Sequence, residues 1–379
     1  MFMQATDLRQ APLPQVDLCI IGAGPAGLTM AGRLADSGLR IALLESGQRN
    51  GALDKATEAM NAGTSSLSDY PFQFSRVRGF GGTSLRWTGA CIQLDPDDFE
   101  ARDWVPHSGW PITADDLSPY YAEAAPIYGL VDDTPYLPLV RETPLHGDGF
   151  EARFAQLAKT TDLSRQFEPI IDRSNSITCL LGATATGFDT SPNGSQITGV
   201  ELHDSAGDVH HIKARATVLA TGGIEAPRLM LRAKPTQQAA MGPAANLIGR
   251  YHMEHPIRSM GVIKVPNAQR HMLAFTNFTS TNNADLQGVF GLDLQTRSRH
   301  QLLNLHFRAY RFHPLENDPS IIRLKEIAEG AGVSMAKVVS EMAPKTITKW
   351  ARYGAWHLWN QRARSARFNH LRLLAFLEQ

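Results

Sequence analysis

The architecture of this chain is set by the segment Val16-Asp17-Leu18-Cys19-Ile20-Ile21-Gly22-Ala23-Gly24-Pro25-Ala26-Gly27. An apolar run of strand length is cut off there by the pattern G-x-G-x-x-G, and the apolar residues that follow recur at helical spacing. A second apolar strand follows at 40–44 and ends on Glu45. Strand, glycine turn, helix, strand and acid, in this order, predict a nucleotide-binding α/β unit.

Each residue of the glycine pattern suits the binding of a dinucleotide. Gly22 allows the tight turn, Gly24 lets a pyrophosphate approach the backbone, and Gly27 lets the helix pack closely on the strand. Pro25 suits a first helical turn that does not need its N–H group, and Ala26 lies in the same turn. The free N–H groups of this turn and the positive end of the helix dipole then face the phosphates.

Glu45 lies 23 residues after Gly22, at the end of the second predicted strand. An acid in this position accepts hydrogen bonds from ribose hydroxyls, and its negative charge disfavours the 2′-phosphate of NADP. A glycine pattern alone is weak evidence, because glycine-rich turns are common. A turn with only a structural role is the alternative interpretation, and the flanking strands, helix and acid argue against it.

Composition and charge exclude several classes of function. The 379 residues are 43% hydrophobic and 20% charged, and 37 basic residues balance 37 acidic ones, so we do not expect nucleic-acid binding. Cys19, Cys91 and Cys179 lack metal-like spacing and predict buried thiols in a reducing compartment. The first fifteen residues do not resemble a signal peptide, and no stretch approaches the roughly 18 apolar residues of a membrane span. We therefore expect a cytoplasmic protein without a membrane span.

A second glycine-rich cluster occupies residues 75–90. It combines four glycines with hydroxyls, three arginines and a tryptophan, so free N–H groups, cations and an aromatic face are available to a ligand. A surface loop with incidental glycines is the alternative interpretation. The candidate binding residues of this cluster are Arg78, Gly81, Gly82, Thr83, Ser84 and Trp87.

These motifs together resemble the FAD domain of the glucose-methanol-choline (GMC) oxidoreductase family. The resemblance is carried by residues 22–27, by Glu45-Ser46-Gly47 and by Gly81-Gly82-Thr83-Ser84. It implies that Glu45 and Ser46 contact the cofactor, and that the second cluster lies over the isoalloxazine ring and the pyrophosphate.

The form Gly-Gly-Thr-Ser-x-x-Trp, followed by Pro96-Asp97-Asp98-Phe99, resembles the branch of the family that contains pyranose oxidases and bacterial sugar or sugar-acid dehydrogenases. Some members of this branch attach FAD through a histidine just before the tryptophan. Arg86 occupies that place here, so the resemblance implies non-covalent FAD.

The middle of the chain predicts a strand at 177–181 and then a β-meander that ends in Ala-Thr-Gly-Gly at 220–223. This resembles the second glycine signature of two-dinucleotide-fold flavoproteins, with Ala220, Gly222 and Gly223 beside the cofactor. By the same resemblance, the strand around Ala185 contacts the adenine. An antiparallel insertion and a return strand roughly two hundred residues after the first turn favour FAD over NAD, since a simple NAD domain continues in parallel strands.

We therefore predict an α/β fold with an FAD-binding, Rossmann-like, three-layer ββα domain assembled from discontinuous segments, plus an α+β substrate domain with an antiparallel sheet. Residues 150–159 are helical in pattern, 257–312 predict strands, and 320–350 predict helices, while 131–150 read as a linker. The predicted segments are 1–105 (FAD domain, first part), 106–165 (substrate-domain helix and linker), 166–255 (FAD domain, second part) and 256–379 (substrate domain, incomplete).

The resemblance implies a histidine base paired with an asparagine or a second histidine near the C-terminus of the family. Imidazole suits this task because its ordinary pKa of about 6.5 lets it accept a proton near neutral pH. This chain matches only the N-terminal two thirds or so of the family, so the catalytic pair is expected beyond Gln379 and the catalytic residues are unknown. Histidines that could line a pocket, although each also fits an ordinary surface or core histidine, are His107, His146, His306 and His313.

The pair His252 and His255 precedes a proline without a further ligand pattern, so no metal site is expected. The leading hypothesis is a GMC-type oxidoreductase that oxidises a hydroxyl of a sugar, sugar acid or other alcohol and passes electrons to an acceptor other than NAD. One alternative is an oxidase of the same family that produces hydrogen peroxide. Another is a truncated or split chain that is inactive alone and is completed by a C-terminal polypeptide. The substrate, the acceptor and the oligomeric state stay open.

Overall fold

The computed structural model of the chain describes residues 1–49, 76–131, 147–233, 235–253, 255, 257–264, 278–280, 284–311 and 370–377, with the single residues 57, 60, 62 and 348. Most of the linker predicted at 131–150 lies outside these residues. So do the helices predicted at 320–350, apart from Thr348.

Strands and helices alternate irregularly along the described chain. The strands are β1 (Phe2–Gln4), β2 (Val16–Ile21), β3 (Ile41–Glu45), β4 (Ala90–Cys91), β5 (Phe150–Leu157), β6 (Ile177–Leu181), β7 (Thr184–Thr190), β8 (Ile197–His203), β9 (Val209–Leu219), β10 (Ile257–Lys264), β11 (Phe278–Ser280), β12 (Asp285–Leu292), β13 (Leu305–Arg311) and β14 (His370–Leu377). The α-helices are α1 (Pro25–Arg33), α2 (Ala114–Tyr128), α3 (Leu163–Arg173), α4 (Gly222–Arg232), α5 (Pro235–Ala239) and α6 (Leu294–His300), and 3₁₀ turns cover Ala5–Arg9, Gly82–Leu85, Pro96–Asp98 and Pro243–Leu247.

The chain forms two units, and each is assembled from separated segments. Unit 1 contains Met1–Gly89 and Thr160–His252, and unit 2 contains Ala90–Lys159 and Met253–Gln379. Unit 1 holds a sheet that is mostly parallel, whereas unit 2 holds an antiparallel sheet. The predicted fold class is confirmed, and the cofactor and substrate roles given to the predicted segments stay predictions.

The sheet of unit 1 has the strand order β1-β6-β3-β2-β9-β8-β7. The first five strands in this order run parallel, and β7, β8 and the start of β9 form the predicted antiparallel meander. Cys19 and Ile20 on β2 are completely buried, and so is nearly all of β3. Central parallel strands are covered on both faces, which explains why these segments read as continuous apolar runs.

Helix α1 begins at Pro25, as the sequence predicts, and packs on α3. Gly32 of α1 lies against Phe167 of α3, since an added Cβ would lie 2.5 Å from the Phe167 ring. A glycine just after the apolar helical pattern, Gly38, predicts the end of this helix there, but the helix ends at Arg33 and the chain continues as turns. Helix ends fray, and their positions are the least reliable part of such a prediction.

The sheet of unit 2 has the order β10-β14-β13-β12-β5-β4, and β11 pairs with β12. The strands predicted between 257 and 312 are confirmed by β10, β12 and β13. Thr113 is the N-cap of α2, since its side chain accepts a hydrogen bond from the Asp116 N–H and the Asp116 carboxylate accepts one from the Thr113 N–H at 2.8 Å. Within the described residues, no helix has the length and apolar character needed to cross a bilayer.

The helix predicted at 150–159 is wrong, because this segment forms β5. It pairs antiparallel with β12 along one edge and with β4 along the other. Ala152, Ala155 and Ala158 have exposed fractions of 4%, 0% and 9%. Burial recurs every three residues here and imitates the period of a helix, whereas a strand with one buried face alternates every two.

A buried polar cluster ties the Pro96–Asp98 turn to the rest of unit 2. One Arg297 Nη2–H donates to Asp97 Oδ1 at 3.0 Å, and the Arg297 side chain is almost completely buried. The Asn304 amide donates to Asp95 Oδ2 and to Asp98 Oδ2, each at 3.0 Å. Burial raises the pKa of Asp98. The acidic pair of the predicted Pro-Asp-Asp-Phe motif is thus used for internal contacts.

Candidate functional site

The first glycine element, residues 22–27, joins β2 to α1 in unit 1. Gly22 has a φ of 103°, and a Cβ added to it would lie 2.7 Å from the Ala220 carbonyl oxygen. A Cβ added to Gly27 would lie 1.9 Å from the Gly22 carbonyl oxygen. Only glycine fits at these two positions, because the turn is left-handed at one and touches the helix backbone at the other.

The N-terminus of α1 presents backbone to an open space. Gly24 is the N-cap residue, and no side chain of the described residues caps the helix. Among the same residues, the atom nearest to a Cβ added to Gly24 would be the Gly82 Cα, at 4.0 Å. Pro25 and Ala26 form the first turn, whose remaining N–H groups and dipole favour an anion. This arrangement fits the pyrophosphate of a dinucleotide.

The second glycine element, residues 79–85, lies directly against the first. The Gly81 N–H donates to the Ala23 carbonyl at 2.9 Å, and a Cβ added to Gly82 would lie 2.8 Å from the Gly24 Cα. Thr83 is exposed at the start of the 3₁₀ turn. The backbones of the two elements therefore share one wall of the space beside Gly24.

Two candidate side chains of this cluster hold it in place. The buried Ser84 hydroxyl donates to the Gly81 carbonyl at 2.6 Å and accepts from the Leu163 N–H at 3.3 Å. The Trp87 Nε1–H donates to the Thr161 carbonyl at 2.8 Å. The hydrogen bonds to Leu163 and Thr161 hold the cluster against the start of α3 and the residues just before it. Their predicted contacts with the cofactor stay predictions.

The Glu45 carboxylate, which has an exposed fraction of 6%, accepts hydrogen bonds from three backbone N–H groups. Its Oε2 accepts from Ala23 at 3.1 Å, and its Oε1 accepts from Gly47 at 2.8 Å and from Gly79 at 3.0 Å. The donors belong to the first glycine element, to the loop after β3 and to the second glycine element. The ribose contact predicted for Glu45 stays a prediction.

Arg78 connects the second glycine element to two other candidate segments. Its Nε–H donates to the Ser46 hydroxyl at 3.1 Å and its Nη2–H to the Ser46 carbonyl at 2.8 Å. The same Nη2 group donates to the Thr184 hydroxyl at 3.2 Å, next to Ala185 on β7. The structure thus brings Ser46, Arg78 and the strand of Ala185 together.

The third glycine element, residues 220–223, leads from β9 into α4. The Ala220 N–H donates to the carbonyl of Ile21, the last residue of β2, at 2.8 Å, and a Cβ added to Gly27 would lie 3.4 Å from the Ala220 Cβ, so this element lies against the first one. Gly222 has a φ of 84°, and a Cβ added to Gly222 or Gly223 would meet no atom of the described residues within 4 Å. No side chain in that part of the chain caps α4.

Two hydroxyl groups near this element were not among the binding residues predicted from the sequence. In the part of the chain that the structure describes, the Oγ1 atoms of Thr217 and Thr221 are buried without a hydrogen-bond partner. A buried hydroxyl without a partner is costly, which makes both atoms candidates for contact with a ligand. The signal for Thr221 is its place in Ala220-Thr221-Gly222, where the prediction considered only the alanine and the glycines, whereas Thr217 lies inside β9 and has no such signal.

Two of the four candidate histidines, His306 and His107, lie among the residues that the structure describes. His306 lies on β13 of unit 2, is buried, and accepts a hydrogen bond at Nε2 from the Arg308 Nε–H at 3.2 Å. His107 is exposed with a φ of 61°. His146 and His313 lie outside the described residues.

A family model described as FAD dependent oxidoreductase matches residues 17–323, which is most of the chain. The chain belongs to this family. FAD is therefore its cofactor, as predicted. The uncapped helix N-terminus, the close glycine backbones and the two orphaned threonine hydroxyls of unit 1 fit such a group.

Relatives of this FAD-dependent oxidoreductase include the fructose dehydrogenase large subunit of Gluconobacter japonicus, 22% identical over 69% of this chain. Another is the 2-methyl-1,2-propanediol dehydrogenase of Mycolicibacterium austroafricanum, 25% identical over 69% of this chain. A third is the 6′′′-hydroxyparomomycin C oxidase of Streptomyces lividus, 25% identical over 62% of this chain. The matches cover 63%, 59% and 53% of these relatives, so the chain spans less than two thirds of their length.

Two solved structures are also similar to the chain. Pyridoxine 4-oxidase from Mesorbium loti has a TM-score of 0.40 at 20% identity and covers 57% of this chain and 51% of its own. Formate oxidase has a TM-score of 0.42 at 15% identity and covers 96% of this chain and 72% of its own.

Proposed function

We propose that this protein is a GMC-type FAD-dependent oxidoreductase that oxidises a hydroxyl group of a sugar, a sugar acid or another alcohol. The observation that carries the proposal is the meeting of three glycine elements, at 22–27, 79–85 and 220–223, around the uncapped N-terminus of α1. The names of the relatives support the substrate class, since fructose, a propanediol and hydroxyparomomycin all carry hydroxyl groups.

FAD, when bound, supplies the hydride acceptor at its flavin N5 atom. The residues of this chain bind and orient it. The N–H groups at the start of α1 hold the pyrophosphate, Glu45 accepts from the ribose, and the segment around Ala185 contacts the adenine. Arg86 stands before Trp87 where a linking histidine would stand, so the flavin is held without a covalent bond.

The proton acceptor for the substrate hydroxyl is supplied, in this proposal, by sequence beyond Gln379. The curated relatives are longer than the part that this chain matches, which leaves room for such a segment. A chain that binds FAD but needs a complementary polypeptide for turnover is the second candidate function. One relative is named the large subunit of a fructose dehydrogenase, and this name supports the second candidate function. An oxidase that passes electrons to oxygen is the third, since one relative is named an oxidase.

The cytoplasmic location predicted from the sequence stays part of the proposal. It rests on the thiols of Cys19 and Cys179, which are both buried.

The test is to purify the chain, load it with FAD and record the visible flavin absorbance after gel filtration. We expect the wild type to retain flavin and Gly24→Val to lose it, because the added side chain occupies the space beside the pyrophosphate. Acid precipitation should release all the flavin. Flavin that stays on the precipitate would contradict the non-covalent assignment, and a wild type without affinity for FAD would overturn the proposed function.

Turnover is then measured with sugars, sugar acids and simple alcohols, using an artificial electron acceptor or oxygen with peroxide detection. Each assay is run with and without a C-terminal fragment. Activity that appears only with the fragment favours the split-chain alternative, whereas full activity of the lone chain would refute a base beyond Gln379. Peroxide formation without the artificial acceptor would identify an oxidase.

A further inference from the structure

We propose that Glu45 is a positioning residue that fixes the second glycine element against the first, in addition to contacting the ribose. The inference rests on the proposed FAD site in unit 1. Its basis is that the three N–H donors to the carboxylate come from separate segments, at Ala23, Gly47 and Gly79. A single buried side chain therefore links the first turn, the loop after β3 and the start of the second element.

The carboxylate has little hydrogen-bonding capacity left for a ligand. An ionised carboxylate offers about four lone-pair sites, two on each oxygen. The Gly47 and Gly79 N–H groups take those of Oε1, to which the Ser46 hydroxyl also donates at 3.4 Å, and the Ala23 N–H takes one on Oε2. One site on Oε2 remains, so Glu45 accepts one strong hydrogen bond from the ribose rather than one from each hydroxyl.

Only a group that accepts on both oxygens satisfies this arrangement. A glutamine side chain has the same shape, but one of its two ends is an NH₂ donor. Whichever way its amide is turned, that donor faces Ala23 or faces both Gly47 and Gly79. The backbone cannot move away easily, because a Cβ added to Gly47 would already lie 2.5 Å from the backbone of Arg78 and Gly79.

The position of Gly79 matters because the second element closes the space beside Gly24. The Gly81 N–H donates a hydrogen bond to the Ala23 carbonyl, and Gly82 lies against the Gly24 Cα. The Glu45 carboxylate accepts hydrogen bonds from the N–H groups of the same Ala23 and of Gly79. Loss of either bond from Glu45 lets the second element shift and changes the gap into which the pyrophosphate must fit.

The test compares Glu45→Gln with a matched control, Asp204→Asn, in the full chain. Asp204 is also a buried carboxylate of unit 1 that accepts from backbone N–H groups, those of Ala206 and Asp208, but it lies in the meander turn. Amide hydrogen exchange is measured without ligand, and affinities for ADP and FAD are measured by calorimetry.

We expect Glu45→Gln to speed exchange at Ala23, Gly47 and 79–85 in the ligand-free protein and to weaken ADP and FAD binding about tenfold or more. Asp204→Asn should speed exchange only in its own turn and leave both affinities within about twofold of wild type. ADP affinity is thus the readout that a general loss of stability does not change.

Unchanged exchange in ligand-free Glu45→Gln, with weaker ADP binding, would reduce Glu45 to a ribose contact and overturn the inference. Equal losses of affinity in the two variants would also overturn it. If Glu45→Gln does not fold, amide hydrogen exchange in the wild type tests the inference instead. Unprotected amides at Gly47 and Gly79 would contradict their hydrogen bonds to the Glu45 carboxylate. A wild type that binds neither ADP nor FAD would defeat the proposed function, while its exchange rates still decide whether Glu45 holds the two elements together.

Discussion

Replacing Gly27 with alanine would place a carbon atom where the first turn already has an oxygen. The added Cβ would lie 1.9 Å from the Gly22 carbonyl oxygen and 3.4 Å from the Ala220 Cβ. Contacts of this kind are not seen below 3.0 Å, so α1 and the turn must separate by at least about 1.1 Å. Overpacking of this kind costs about 1–3 kcal/mol, and alanine regains about 1 kcal/mol of helix propensity.

Because the clash is with backbone, we take the upper end of the range and expect a net loss of about 2 kcal/mol. For a unit of this size, that loss lowers the melting temperature by about 4–8 °C. The assay is thermal unfolding of the ligand-free protein followed by circular dichroism. A melting temperature within about 1 °C of wild type would refute the packing argument.

Gly24→Ala is the matched control in the same element. Among the described residues, the atom nearest to its Cβ would be the Gly82 Cα at 4.0 Å, and its φ of −82° suits any residue. We expect at most about 1 kcal/mol of lost stability, from a poorer N-cap, but at least about a tenfold loss of FAD affinity, because the methyl group stands between the backbone and the pyrophosphate. The two variants should therefore separate folding from binding. The same pattern of effects in both would contradict the different roles given to the two glycines.

Three further predictions concern buried polar groups. A hydrogen bond from a neighbouring imidazole lowers the pKa of Asp204 from 3.8 to about 2, so its contribution to stability is present above about pH 4 and is lost as the pH falls toward 2. Asp204→Asn should therefore be less stable than wild type at pH 7, and urea titrations should show this difference shrinking below pH 4. Burial raises the pKa of all three thiols, that of Cys19 to about 12, but Cys91 is only partly buried, so a thiol reagent at pH 8 should label Cys91 first, as checked by peptide mass mapping. Arg297→Met should cost about 3–5 kcal/mol because it leaves Asp97 buried without its cation. Adding Asp97→Asn should restore much of this loss in a double-mutant cycle measured by urea unfolding.

The first glycine element could be predicted because everything that defines it is local. The strand, the turn, the helix and the acid all fall within residues 16–45, and each follows from residue type and spacing. The meander of β7, β8 and β9 could be predicted for the same reason, because apolar and polar residues that alternate every two positions between short turns are typical of antiparallel strands.

Strand β5 shows where local pattern fails. Its burial at Ala152 and Ala155 has a spacing of three, so the segment reads as a helix until its neighbours are known. Those neighbours, β4 and β12, come from residues 90–91 and 285–292. Pairing with distant strands outweighs local periodicity, because β12 pairs with β5 from Phe150 to Gln156 and β4 pairs with Gln156 and Leu157 on the other edge.

The Glu45 carboxylate shows the same limit at the candidate site. Its spacing of 23 residues from Gly22 along the chain predicts a hydrogen-bond acceptor near a ribose. It does not reveal that the N–H groups of Gly47 and Gly79 point at the same oxygen, because that depends on the path of the loop after β3. A motif defines what a side chain can accept, whereas the fold decides how much of that capacity is already used. Ligand contacts inferred from a motif alone therefore overestimate the bonds left for the ligand wherever the same side chain also holds the loops around it.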